Sequence, residues 1–294
     1  MLEGQQIGAY LVRRLLGHGG MSHVYLAQDV RLGRDVALKV LDERLAGHAG
    51  FRERFLREAR VAAALDHPHI VPLYDVGEYP QLYLVMPFVA GGSIQQLLPR
   101  APLPLAEVAN YGCQVADALG YAHRVGVIHR DVKPANVLIH ADGRVMLSDF
   151  GLAKIWDGAP RSPRRRPDAG TPEYMAPEQI RGQSDTRTDL YALGVVLYLL
   201  LTGRLPFQGT NGEAVMAAQV GQRPISPRSL NPRLSAAMEA VVLRALAKHP
   251  GERFQTAAEM SAALLGALVV SDARGAHALP EPARRPVPRT LPLA

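Results

Sequence analysis

The sequence predicts an α+β fold in which a small, mostly β lobe precedes a larger, mostly helical lobe. In the first part of the chain, short runs rich in Val, Leu and Tyr are separated by glycines, a pattern typical of strands joined by tight turns. From Thr186 onward, apolar residues recur at the spacing of helices that bury one face. We place the boundary between the lobes near Val89–Gly92, where two glycines interrupt the pattern.

The lobes are assigned to residues 1–89 and 90–268, and residues 269–294, rich in Pro and Arg, are predicted to be a disordered tail. Strands are predicted at Tyr10–Leu16, His23–Gln28, Asp35–Leu41, Ile70–Val76 and Leu82–Met86. Short strand-and-loop pieces are predicted at Ile128–Ile139 and Val145–Leu147. Helices are predicted at Phe51–Leu65, Leu105–Arg124, Thr186–Thr202, Gly212–Val220, Ser235–Ala247 and Thr256–Leu268.

Composition excludes several classes of protein. The 294 residues carry 33 basic and 27 acidic side chains, a net charge of +6, without the basic stripe interleaved with aromatic residues that would indicate nucleic-acid binding. One cysteine precludes an intrachain disulfide, and the first residues lack the layout of a signal peptide, so a cytoplasmic location is predicted. The longest apolar run, near Leu190–Leu201, is too short to span a bilayer and predicts a buried helix. Membrane tethering through a further C-terminal segment stays open.

A glycine-rich hairpin, Gly17-His18-Gly19-Gly20-Met21-Ser22, lies between the first two predicted strands. Glycines at such a turn let backbone N–H groups approach phosphate oxygens without a side chain in the way. Glycine-rich hairpins also occur as plain turns, so the pattern alone leaves phosphate binding and a structural turn both open. Ser22 occupies the position at which a G-x-G-x-x-G pattern has its third glycine.

An ion pair is predicted between Lys39 and Glu58. Alternation along the strand around Lys39 places its side chain on the same face as Ala37. In the helix that follows, Glu58 lies on the apolar face that begins with Phe51 and Phe55. An unpaired carboxylate on such a face would be costly, and Lys39 is the obvious partner.

The strongest signal is the stretch His129-Arg130-Asp131-Val132-Lys133-Pro134-Ala135-Asn136. Asp131 can orient an attacking hydroxyl group or accept its proton. Lys133 can neutralise charge on a transferred group, and Asn136 offers an amide oxygen of the kind that hard metal ions prefer. Asp149, in the tripeptide Asp149-Phe150-Gly151, is a second candidate metal ligand. An ordinary polar loop is the alternative interpretation.

Taken in order, these motifs resemble those of the eukaryotic-type (Hanks-type) protein kinase family, and the Gly-Gly-Met-Ser variant of the glycine loop is similar to its bacterial Ser/Thr branch. The resemblance extends from about Tyr10 to Leu268. It implies a bilobal kinase fold with an ATP cleft between the lobes, and ATP with Mg²⁺ or Mn²⁺ as cofactors. It also implies phosphoryl transfer to Ser/Thr hydroxyls of proteins in bacterial signalling. A pseudokinase scaffold and a small-molecule kinase of related fold are the alternatives.

The resemblance assigns roles position by position. The loop over the phosphates would comprise Gly17, His18, Gly19, Gly20 and Ser22, and adenine would lie between Val24, Ala37 and Leu138. Lys39, braced by Glu58, would hold the α- and β-phosphates, and Met86, Pro87 and Val89 would line the back and edge of the pocket. Asp131 would be the catalytic base beside Lys133, and Asn136 and Asp149 would ligate Mg²⁺.

Further implied roles concern the acceptor and the architecture. Lys133 favours Ser/Thr over Tyr as acceptor, and Thr171 is expected to contact both Lys133 and the catalytic base. Glu178 is expected to pair with Arg253, and Asp189 to brace the backbone of the catalytic loop.

The loop between Gly151 and Gly170 departs from the family pattern. Its only hydroxyl group is that of Ser162, flanked by four arginines, although Arg130 is of the kind that often pairs with a phosphorylated loop residue. Two hypotheses stay open: the loop is held by its own charge, or Ser162 is the single phosphorylation site. Self-association would serve such autophosphorylation. Mass mapping after incubation with MgATP, beside Ser162→Ala, separates the hypotheses.

Overall fold

The computed structural model describes residues 2–19, 22–42, 50–150 and 171–275. Six strands form an antiparallel sheet in the order β1-β2-β3-β4-β6-β5. They are β1 (Gln6–Ile7), β2 (Tyr10–His18), β3 (Ser22–Asp29), β4 (Arg34–Leu41), β5 (Asp75–Gly77) and β6 (Tyr83–Pro87). Helix α1 (Phe51–Ala63) lies between β4 and β5 in the chain, and β7 (Val137–Ile139) pairs with β8 (Val145–Leu147) in a separate two-stranded sheet. This mixed architecture confirms the α+β class.

Alternation along β4 makes the two faces of the sheet different. Val36 and Leu38 are fully buried and belong to an apolar cluster on one face. Ala37 and Lys39 lie on the other face, where both line a cavity. The prediction that these two residues share a face is therefore confirmed.

The rest of the chain is mainly helical and packs around one long buried helix. Its helices are α2 (Leu105–Arg124), α3 (Pro177–Ile180), α4 (Thr186–Thr202), α5 (Gly212–Gly221), α6 (Pro227–Leu230), α7 (Ala236–Ala245) and α8 (Ala257–Gly275). Every residue of α4 from Thr188 to Thr202 is buried, which confirms the buried helix predicted from the apolar run. Asp185 and Thr188 form a reciprocal capping box at its start, and Gly203, with φ 73°, ends it. None of the described helices combines the length and apolar character that crossing a membrane requires.

The predicted strand Ile70–Val76 is shorter than expected. Only its end belongs to β5, and Ile70 makes an isolated bridge with Leu147. Pro72 interrupts the run because proline has no N–H group to donate to a neighbouring strand.

The predicted tail overlaps the last helix, because α8 continues to Gly275 and so includes residues 269–275. No proline occurs in this segment before Pro280 to end the helix. Residues 276–294, the remainder of the predicted tail, lie outside the described residues.

Gly194, in the middle of α4, allows α7 to approach closely. A Cβ at Gly194 would lie 2.7 Å from the Cβ of Ala245, closer than carbon atoms pack without a shift. We expect Gly194→Ala to lower the free energy of unfolding by about 1–3 kcal/mol, measured by urea denaturation. Gly266→Ala, in α8, is a matched control because nothing lies within 4 Å of the added Cβ. The control should be neutral or stabilising by up to about 1 kcal/mol, and equal losses in both variants would contradict the packing argument.

Candidate active site

A cleft of about 260 Å³ lies between the six-stranded sheet and the segments around β7 and β8. Nine of the residues predicted to bind nucleotide or metal line it: Gly17, Val24, Ala37, Lys39, Met86, Pro87, Val89, Leu138 and Asp149. The sequence interpretation missed Leu16, Val71, Phe88, Gly92, Ser93, Gln96, Ala135 and Ser148. Most of these are chain neighbours of predicted residues, and that adjacency is the only sequence signal for them.

The register of the strands explains why residues distant in sequence meet in this cleft. Gly17 is opposite Val24 across β2 and β3, and Val24 is opposite Lys39 across β3 and β4. Ala37 is in turn opposite Met86 across β4 and β6. Because directly opposed residues share a face of the sheet, these side chains line one wall of the cleft.

The glycine hairpin contributes to the cleft through fewer residues than predicted. His18 is opposite His23, and both side chains line a different cavity on the other face of the sheet. Alternation along β2 directs the His18 side chain away from the cleft, so a contact of His18 with nucleotide would have to use its backbone, and that contact stays a prediction. Gly19 donates its N–H to the carbonyl of Ser22 at 2.8 Å, which closes the turn. Gly20 lies outside the described residues.

Lys39 is paired with Asp149 and not, as predicted, with Glu58. Its Nζ lies 2.8 Å from Asp149 Oδ1. Glu58 is buried on α1, as its position on the apolar face predicted, but its carboxylate lies 3.8 Å from Arg57 Nε. The helical pattern can place Glu58 on the inner face of α1, but it does not determine how far α1 lies from β4. The predicted Lys39–Glu58 ion pair is therefore wrong for this structure.

The environment of Asp149 keeps it ionised. Burial alone would raise the pKa of Asp149, but the charge and hydrogen bond of Lys39, aided by His129 and Lys133, hold it below its ordinary value. Asp149 also adopts the left-handed backbone region, with φ 68°, which is uncommon for a residue other than glycine. An anionic oxygen is therefore held in a fixed, strained turn at the wall of the cleft.

Asp131 lies at the centre of a hydrogen-bonded unit. Lys133 Nζ donates to Asp131 Oδ2 at 2.7 Å. Asn136 Nδ2 donates to the backbone carbonyl of Asp131 at 2.8 Å and to its Oδ2 at 3.1 Å. Within the described residues, the side-chain hydrogen bonds of this carboxylate fall on Oδ2, so Oδ1 is available to a hydroxyl group.

Asn136 and Asp149 suit a small divalent cation. Because the amide nitrogen of Asn136 is used by Asp131, its amide oxygen remains for a metal. The N–H and hydroxyl groups of Ser148 donate to the backbone carbonyl of Asn136 at 2.8 and 3.1 Å, which ties Asn136 to the residue before Asp149. The described residues include no cluster of three or more His, Cys, Asp or Glu side chains suited to a metal. One carboxylate and one amide match the few protein ligands that Mg²⁺ uses beside substrate phosphates.

Asp189, at the start of α4, braces the catalytic loop as predicted. Its carboxylate accepts the backbone N–H groups of His129 and Arg130 at 2.9 and 2.7 Å, and lies 2.8 Å from His123 Nε2. Arg130 has φ 68°, so these bonds hold a strained backbone immediately before Asp131.

Glu178 and Arg253 form the predicted architectural ion pair. Both are buried, and the guanidinium donates to the two carboxylate oxygens at 2.7 Å each. Thr171, in contrast, makes no described hydrogen bond to Asp131 or Lys133, and its carbonyl accepts the N–H of Tyr174 at 2.9 Å. The expected contact of Thr171 with Asp131 and Lys133 therefore stays a prediction. Residues 151–170, with Ser162, lie outside the described residues.

A bilobal arrangement of this kind, in which an Asp-Lys-Asn unit lies beside a cleft lined by a lysine and a second aspartate, defines a phosphotransferase of the protein kinase class. The family described as protein kinase domain matches residues 10–264, and the chain belongs to that family. Members of the family use ATP with a divalent metal ion and act on protein substrates. This match confirms the membership in the protein kinase family that the sequence motifs indicated.

The curated relatives are bacterial. The chain is 46% identical over 267 residues to the serine/threonine-protein kinase PknB of Mycobacterium tuberculosis, covering 87% of this chain and 42% of PknB. It is 42% identical over 261 residues to the probable serine/threonine-protein kinase SCO3848 of Streptomyces coelicolor, covering 86% of this chain and 39% of that protein. The chain thus spans less than half the length of these relatives.

A solved structure agrees in fold. The crystal structure of the M. tuberculosis PknI kinase domain superposes with a TM-score of 0.73 at 35% identity, covering 92% of this chain and 99% of that one. This likeness places the β-rich part and the helical part of the chain in the arrangement of a kinase domain.

Proposed function

We propose that the chain transfers the γ-phosphoryl group of ATP to serine and threonine hydroxyl groups of proteins. The observation that carries the proposal is the hydrogen-bonded unit of Asp131, Lys133 and Asn136, beside a cleft that Ser148 and Asp149 line. The relatives that share this chain's sequence are named as serine/threonine-protein kinases, which supports the class of acceptor.

The proposed mechanism assigns one task to each side chain. Asp131 orients the acceptor hydroxyl and takes its proton as the hydroxyl oxygen bonds to the γ-phosphorus. The bond from the γ-phosphorus to the β–γ bridging oxygen breaks, and ADP leaves. Lys133 neutralises charge on the transferred group, and Lys39 pairs with phosphate oxygens. Catalysis is mostly positioning and charge neutralisation, because the protein forms no covalent bond to the phosphoryl group.

We propose Mg²⁺ as the metal ion, held by the amide oxygen of Asn136 and the carboxylate of Asp149. Bound there, Mg²⁺ would supply charge neutralisation on the phosphates. The lowered pKa of Asp149 supports this assignment, because an ionised carboxylate is the form that binds a hard cation.

Peptides that differ only in the acceptor residue test the function. Three otherwise identical peptides, with Ser, Thr or Tyr as the only hydroxyl residue, are incubated with the chain and ATP, with Mg²⁺ or with EDTA. We expect phosphate on the Ser and Thr peptides in the presence of Mg²⁺, and a loss of about 100-fold or more on metal removal, located and quantified by mass spectrometry.

Two outcomes would contradict the proposal in different ways. ATP binding without transfer to any peptide would favour a scaffold function, and phosphate on the Tyr peptide alone would overturn the Ser/Thr assignment. Undiminished transfer in EDTA would remove the role proposed for Asn136 and Asp149.

A further inference from the structure

Gln219, in the last turn of α5, has a fully buried side chain whose amide is used at both ends. Its Nε2 donates to the carbonyl of Glu173 at 2.6 Å and lies 3.4 Å from the carbonyl of Pro172. Its Oε1 accepts from the hydroxyl group of Tyr191 in α4. Glutamine is mostly exposed in proteins, so a buried one with three oriented contacts calls for an explanation.

The two carbonyl groups belong to the 3₁₀ turn Pro172–Tyr174, which follows Thr171 directly. The segment that follows the turn is tied to the catalytic loop, because Gln179 Nε2 donates to the carbonyl of Arg130, the residue before Asp131, at 2.8 Å. A shift of the turn would therefore be transmitted to the place where the acceptor hydroxyl meets Asp131. All three residues of the turn are only partly buried, so packing alone does not fix its position. The start of α5 also contacts the turn, since a Cβ on Gly212 would lie 3.4 Å from Pro172 Cγ.

Lys248 holds the end of α5 that carries Gln219. Its Nζ donates to the backbone carbonyl of Gln219 at 2.6 Å and lies 3.7 Å from the centre of the Phe207 ring. Burial, and then the charge of Arg253, lowers the pKa of Lys248 to about 8. At neutral pH the ammonium group is therefore still mostly charged, and its hydrogen bond is charge-assisted.

We propose that Gln219 is a positioning residue for the protein acceptor, acting through the carbonyl groups of Pro172 and Glu173. This inference rests on the proposed kinase function and concerns the docking of the acceptor. A glutamine that only filled space would have no need of a donor aimed at this turn and an acceptor fixed by Tyr191. Without the amide, the two partly buried carbonyl groups lose their donor, and the turn shifts toward other partners.

Steady-state kinetics of Gln219→Leu test the inference, with the Ser peptide described above as the probe. Leucine is close to glutamine in size and removes both the donor and the acceptor. We expect the KM for the peptide to rise about tenfold, with the KM for ATP changed by less than about twofold. This split separates positioning of the acceptor from a general loss of folded enzyme, which would lower kcat with both KM values unchanged.

A matched pair of tyrosine variants serves as the second test. Tyr191→Phe removes the hydroxyl that orients the Gln219 amide. Tyr198→Phe removes the hydroxyl of a second buried tyrosine of α4, which donates to the carbonyl of Ile225 at 3.0 Å. We expect Tyr191→Phe to raise the peptide KM about threefold and Tyr198→Phe to leave it unchanged. The pair also decides the matter if Gln219→Leu fails to fold.

An unchanged peptide KM in folded Gln219→Leu, or an equal rise in both tyrosine variants, would overturn the inference. If the wild-type chain phosphorylates none of the peptides, the proposed function fails first, and that failure is visible before any variant is made.

Discussion

Asp131→Asn is expected to reduce phosphoryl transfer to the Ser peptide by about 10²–10⁴-fold, the range typical of losing a general base. Asparagine preserves the shape of the side chain and can still accept a hydrogen bond from Lys133, whose Nζ lies 2.7 Å from Asp131 Oδ2 in the wild type. It cannot take the proton of the acceptor hydroxyl. Because Asp131 does not line the cleft, ATP binding should change by less than about threefold, measured by calorimetry.

Asp117→Asn is the matched control for this prediction. Asp117 is an exposed carboxylate of α2, 3.3 Å from His67 Nε2, and lies outside the cleft. Its substitution should leave transfer within about twofold of the wild type, as is usual for exposed pairs. If Asp131→Asn still transferred phosphate at the wild-type rate, Asp131 would not be the catalytic base. The hydrogen bonds of Lys133 and Asn136 to Asp131 would then serve only the structure of the loop.

The second large effect is expected on stability. Arg253 is completely buried, donates to both carboxylate oxygens of Glu178, and also donates to the backbone carbonyls of Ala247, Lys248 and Arg187. Arg253→Met keeps most of the apolar stem and leaves the carboxylate of Glu178 buried without its cation. We expect a loss of about 3–5 kcal/mol in the free energy of unfolding, measured by urea denaturation at neutral pH.

Two further variants test the cause of that loss. In the double variant Glu178→Leu with Arg253→Met, the orphaned charge is gone, so part of the stability should return. Arg187→Met removes a half-exposed partner of Asp185, 2.6 Å away, and should cost at most about 1 kcal/mol. Equal losses in Arg253→Met and Arg187→Met would contradict the view that burial makes the Glu178 pair essential.

The sequence predicted most of the fold because its patterns are strong locally. Alternation placed Ala37 and Lys39 on one face of β4, and the apolar run near Leu190–Leu201 predicted the buried helix α4. The stretch from His129 to Asn136 predicted which side chains would meet, because they are close in the chain and their spacing is characteristic of one chemistry.

The errors have a different physical origin. The partner of Lys39 depends on the distance between α1 and β4, which no periodicity reports, and the structure pairs it with Asp149. Gln219 carried no sequence signal, since a single polar residue near the end of a helix usually faces solvent. Only the packing of α5 against the turn Pro172–Tyr174 reveals its contacts. The partners of Lys39 and Gln219 depend on distances between elements that are far apart in the chain, and local sequence patterns do not determine those distances.

The central claim, that the chain transfers the γ-phosphoryl group of ATP to a serine hydroxyl, is tested most directly by isotope labelling of that group. The chain is incubated with Mg²⁺, the Ser peptide and ATP whose γ-phosphate oxygens carry ¹⁸O, and the product peptide is analysed by mass spectrometry. We expect a phosphoserine that retains all the labelled non-bridging oxygens, with the serine oxygen unlabelled, in the wild type and not in Asp131→Asn. A labelled phosphate released into water with no labelled phosphoserine formed would contradict the assignment of this site to protein phosphorylation.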